Sequence, residues 1–96
     1  MSELSPEEEV RRGDAVQQIF EHELFKEAVT AVEQAIFKGI ELAPIKDSEM
    51  REKLCFQYIA LQSLLNQLRS HVETGVLASE TLKQRLEKGF RKVVGL

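Results

Sequence analysis

The sequence predicts an all-α fold, an antiparallel helical hairpin over about residues 24–43 and 48–74 with an added helix at each end. Two observations carry this prediction. Leu54, Tyr58, Leu61, Leu65, Leu68 and Val72 recur at alternating spacings of four and three residues, which draws one narrow apolar stripe down a helix. Ser5-Pro6-Glu7-Glu8 at the front and Ala43-Pro44 in the middle read as a helix start and a helix stop.

At the start, Ser5 serves as N-cap, Pro6 takes the first helical position where its missing N–H costs nothing, and Glu8 closes a capping box. Glu7, Glu8 and Glu9 oppose the positive end of the helix dipole. Val10, Gly13, Val16 or Gln17, and Phe20 follow along one side, with Ile19 beside them. Gly13 costs such a helix up to about 1 kcal/mol relative to alanine, so it marks a weak point or a close contact.

The apolar phase shifts around Glu21-His22-Glu23, which places a boundary there. The next helix presents Leu24 or Phe25, Ala28, Val32, Ala35 or Ile36, and Gly39 or Ile40. Ala43 ends it because the residue before a proline is pushed out of the helical region. Residues 44–47 make a connection of the length found between antiparallel neighbours. Asp47 or Ser48 then caps the helix that holds the seam, with Glu49 and Lys53 four apart in the favourable order.

That helix is expected to run to Thr74, with Gly75 as its C-cap. Ser79 or Thr81 would cap a last helix whose apolar face is Leu82, Leu86, Phe90 and Val93 or Val94. Lys83, Arg85, Lys88, Arg91 and Lys92 surround that face.

The 96 residues, 43% apolar and 30% charged, suit one ordered helical domain over residues 1–96, near the size where a single core is adequate but not generous. Helices with one apolar stripe each often finish burying it against a copy of themselves, so a homo-oligomer is expected. The net charge of −3 is unevenly spread: residues 1–45 carry 4 Lys and Arg against 10 Asp and Glu, whereas residues 75–96 carry 5 against 2. Such polarity steers a partner or places subunits head to tail. The acidic start lacks the pattern of a signal peptide, and no stretch approaches the ~20 apolar residues of a membrane span, so no membrane partner is expected and the cytoplasm is the expected location.

Candidate chemistry is sparse. The one cysteine, Cys55, lies between Leu54 and Phe56 and reads as a buried, unreactive thiol. His22 stands between Glu21 and Glu23, neighbours that do not share its helix face, and reads as a surface histidine. His71 flanks the seam and reads as a polar neighbour of an interface. Glu7, Glu8 and Glu9 are explained by the dipole without a metal. A Gly-rich phosphate loop, a catalytic serine motif and a paired His/Glu zinc motif are all missing, so neither catalysis nor a cofactor or metal is expected. The cations of the last helix are candidates for contact with an acidic protein surface first and with nucleic-acid phosphates second, because Glu80 and Glu87 interrupt the field.

The run Arg12-Gly13-Asp14-Ala15, then Ile19-Phe20, Leu24-Phe25-Lys26-Glu27-Ala28, Asp47, Met50-Arg51-Glu52-Lys53-Leu54 and Glu73-Thr74-Gly75 resembles a set of small helical proteins from tailed bacteriophages, encoded among head-assembly and DNA-packaging genes. The resemblance covers roughly residues 8–80 and implies a role in virion assembly or packaging, in the host cytoplasm or with the virion, beside another phage structural or packaging protein. It brings no catalytic residues with it. The expected function is that of a non-enzymatic, self-associating helical interaction protein, with a nucleic-acid-binding packaging adaptor or a host-directed inhibitor as alternatives.

Overall fold

The computed structural model describes residues 4–94, with side chains through residue 90. It is all-helical: α1 (Pro6–Glu21), α2 (Glu23–Leu42) and α3 (Ser48–Val94), with no strand among the described residues.

Each helix begins where a side chain takes up a free N–H. Ser5 Oγ accepts from the Glu8 N–H at 3.3 Å, and Pro6 opens α1. His22 breaks α1 from α2 with an extended backbone, and its Nδ1 accepts from the Leu24 N–H at 3.1 Å. The histidine read as a surface residue is therefore a helix cap. Asp47 Oδ1 accepts from the Met50 N–H at 3.0 Å at the start of α3. The preceding turn is held by Arg51, whose guanidinium donates to the carbonyls of Pro44 and Ile45 at 2.5 and 2.6 Å.

The chain divides into two compact units, one made of residues up to Gln18 with residues from Leu68 onward, the other of Ile19–Gln67. In the first unit, α1 lies on the second part of α3 with Val16, Gly13, Gly75 and Ala78 buried. A Cβ on Gly13 would stand 2.9 Å from the His71 carbonyl oxygen and 3.2 Å from Gly75 Cα, and one on Gly75 would stand 3.2 Å from the Glu9 carbonyl oxygen. Backbone meets backbone at this crossing. As α1 advances from Glu9 to Gly13, its contacts step back along α3 from Gly75 to His71, so the two helices run in opposite directions.

In the second unit, Phe20 and Phe25 pack across the α1–α2 join with ring centroids 5.8 Å apart. Ile36 and Leu65 are buried, the Phe37 and Tyr58 rings lie 5.2 Å apart, and the Leu54 methyls fill the space beside Gly39.

Three expectations are corrected. The seam helix does not stop at Thr74, Gly75 is not a C-cap, and the last helix is no separate element, because α3 runs through to Val94. Gly75 keeps the helical conformation and its missing side chain makes room for Gly13. Thr74 and Thr81 are mid-helix residues whose hydroxyls donate back to the carbonyls of Ser70 and Leu77, at 2.8 and 3.1 Å.

The stripe of α2 turned from solvent is buried Ile36 with half-buried Phe25, Val29 and Ile40, while Ala28, Val32 and Ala35 are exposed. This helix carries two adjacent apolar stripes, and the one with larger side chains removes more apolar area from water. Cys55, finally, is exposed, because it sits off the seam on which Leu54 is half-buried.

Candidate interaction surfaces

Of the seam residues, Leu65 is buried at 5% exposure, and Leu54, Tyr58, Leu61, Leu68 and Val72 are half-buried. The stripe continues past Val72 in steps of three, three and four through Gly75, Ala78 and Leu82, which are buried or half-buried in their turn. Leu54, Tyr58, Leu61 and Leu65 serve the Ile19–Gln67 unit, and Leu68 and Val72 serve the other.

The rest of α3 within the Ile19–Gln67 unit is apolar well beyond that stripe. Phe56, Ile59 and Leu64 are exposed, as is Met50 near its start. A helix that is apolar around most of its circumference is normally surrounded by partners. The seam occupies one face of this helix, and the exposed apolar residues lie on the others. Those residues are visible in the sequence as Phe56, Ile59, Ala60 and Leu64, set between the seam positions. Leu24 and Leu42 on α2 are exposed in the same way.

Lys83, Arg85 and Lys88 are exposed along the last described turns of α3, around Leu86 at 75% and Phe90 at 66% exposure. These apolar residues follow half-buried Leu82 at spacings of four along α3. Arg91 and Lys92 belong to α3, but their side chains lie outside the described residues.

Among the described residues no group of three or more His, Cys, Asp or Glu side chains is placed to hold a metal ion, and no helix is long and apolar enough to cross a membrane. The surface depressions lined by Glu8, Arg11, Arg12 and Ala15, and by Lys26, Glu27, Thr30, Ala31 and Gln34, each follow successive turns of one helix. Neither brings side chains from different elements together around a ligand. Two ion pairs, Glu23–Lys26 at 3.8 Å and Glu49–Lys53 at 3.6 Å, are exposed and within one helix, and such pairs contribute only a few tenths of a kcal/mol.

Comparison with protein families, with curated proteins and with solved structures finds no match to this chain.

Proposed function

We propose that this chain is a non-enzymatic, self-associating helical interaction protein that serves phage particle assembly or DNA packaging. One observation carries the self-association. Among the described residues, four apolar side chains are buried (Val16, Ile36, Leu65 and Ala78), while fourteen large ones are exposed, from Ile19 to Phe90. At about 25 cal/mol per Å² of apolar area, that surface favours association strongly. In this reading α2 and the first part of α3 form an antiparallel pair, which is supported by Gly39 beside Leu54 and Phe37 beside Tyr58. The resemblance to small tailed-phage proteins supplies the biological setting.

Self-association makes stability depend on concentration. The midpoint of thermal unfolding is expected to rise by several degrees between micromolar and hundred-micromolar protein, followed by circular dichroism. A midpoint independent of concentration would count against the reading.

A second reading is favoured by the exposure of Lys83, Arg85 and Lys88 on one terminal stretch of helix. In it, these residues with Arg91 and Lys92 contact nucleic-acid phosphates as a packaging adaptor. Binding to duplex DNA, read by fluorescence anisotropy, should then weaken steeply with salt and be lost on reversing the charge of Lys88. Absence of binding at low salt removes this reading.

A further inference from the structure

We infer that the last turns of α3, from Lys83 onward, dock antiparallel on the first half of α2 in a second copy of the chain. The inference rests on the self-association reading and names the two surfaces that meet. The crossing of α1 on α3 leaves these turns uncovered. Glu9 lies against Gly75, and α1 begins three residues earlier at Pro6, so its cover of α3 extends only about one turn past Gly75. Every residue from Lys83 to Phe90 is exposed, Leu86 at 75% and Phe90 at 66%.

These turns are amphipathic. Leu82, Leu86 and Gly89 step by four and three along one face, with Phe90 beside Gly89, and the residues standing one before them are Thr81, Arg85 and Lys88. On α2, exposed Leu24, Ala28, Ala31 and Ala35 step by four, three and four, and the residues standing one before them are Glu23, Glu27, Thr30 and Gln34. The edge is cationic on α3 and anionic on α2. Lys26, on the turn after Glu23, is paired with it at 3.8 Å, and Lys38 comes on this edge only one turn beyond Gln34. On the other edge, one residue after the stripe, Lys83 and Glu87 are of opposite sign, and α2 presents no charge there.

Charge complementarity says what covers these turns. Residues 82–94 carry 5 Lys and Arg against 1 Glu, whereas residues 19–35 carry 1 Lys against 4 Glu. In helices that run in opposite directions, side chains one residue before the facing positions fall on the same side of the pair, so the antiparallel orientation lays Arg85 and Lys88 along Glu27 and Glu23. A parallel orientation sets these edges on opposite sides. Because α3 is unbroken from Ser48 to Val94, its last turns have no loop by which to reach the α2 of their own chain, and a second copy supplies it. Leu86 and Phe90 against Leu24 and Ala28 hold the contact, and the charges select its partner and direction. Each copy carries one docking stretch and one receiving face. The contact is therefore heterologous, and it closes as a ring or by reciprocal exchange between two copies.

A charge exchange between two full-length variants tests the contact by sedimentation equilibrium. Arg85→Glu with Lys88→Glu makes the docking stretch acidic, and Glu23→Lys with Glu27→Lys makes the receiving face basic. All four positions are exposed, so both proteins should stay helical by circular dichroism. Each variant alone sets like charges together, and its apparent dissociation constant should rise at least about tenfold over wild type. An equimolar mixture restores opposite charges at both contacts and should return to within about threefold of wild type. Leu86→Ser, which alters no charge, should raise the constant at least about tenfold by itself. A mixture as weak as its separate components, or a charge variant that associates like wild type, overturns this pairing, leaves self-association standing and frees the basic stretch for another acidic partner. A wild type that stays monomeric overturns both.

Discussion

Gly13→Ala should destabilise the protein by about 1–3 kcal/mol, although alanine is the better helix former by about 1 kcal/mol. The new methyl group would stand 2.9 Å from the His71 carbonyl oxygen and 3.2 Å from Gly75 Cα. Both are backbone atoms, so no rotamer change relieves the overlap and α1 must move off α3. Gly75→Ala should act in the same direction, since its Cβ would stand 3.2 Å from both the Glu9 carbonyl oxygen and Gly13 Cα. Gly13→Val, with two further methyl groups, should cost more than either. Gly89 is the internal control, because its Cβ would meet nothing within 4 Å. Gly89→Ala should therefore be neutral or stabilising by up to about 1 kcal/mol. Urea unfolding followed by circular dichroism separates the cases, and a Gly13→Ala protein as stable as Gly89→Ala would mean that the helices do not cross this closely.

The second large effect is expected at Leu65, the seam residue most completely removed from water, at 5% exposure. Leu65→Asp gives up about 1.5–3 kcal/mol of transfer free energy and adds the desolvation of a carboxylate without a partner. The sum, about 4 kcal/mol or more, is comparable with the whole stability of a small domain. Helix content and assembly should be lost together, as read by circular dichroism and light scattering. Leu65→Asp chains that keep the wild-type helix content and mass would place the seam somewhere other than the core. Leu64→Asp, one residue away and exposed, should by contrast leave the single chain helical.

The features legible in the sequence are those written in a few adjacent residues. Ser5-Pro6 and Asp47 announce helix starts because a cap is built from its own next turn, and Pro44 ends α2 by a steric effect on its neighbour. The boundary at His22 shows as a shift of apolar phase, while the histidine's own part as the cap of α2 does not. The sequence reading of Gly75 as a C-cap fails because glycine after an apolar stripe suits a close helix crossing equally well. Its partner Gly13 decides the matter from the far end of the chain, and no local pattern links the two. The continuation of the stripe through Gly75, Ala78 and Leu82 is the signal that α3 goes on.

The rotation of α2 has a similar cause. Its two apolar stripes, Phe25-Val29-Ile36-Ile40 and Leu24-Ala28-Val32-Ala35, are adjacent on the helix, and periodicity alone does not rank them. Packing within the unit takes the bulkier one and leaves the other at the surface. Cys55 shows the same limit on a smaller scale, for apolar sequence neighbours do not share its direction on the helix. The basic residues Lys83, Arg85 and Lys88 are plain in the sequence, but charge does not say which partner it meets.

In the proposed reading, copies of this chain cover one another's exposed apolar surface. Light scattering on the purified full-length chain, at low and high salt, tests it most directly. The expected result is a defined oligomer of the 11.0 kDa chain, with a mass that holds at high salt because the contact is apolar. A single 11.0 kDa species at both salts and at high concentration would mean that the chain does not self-associate.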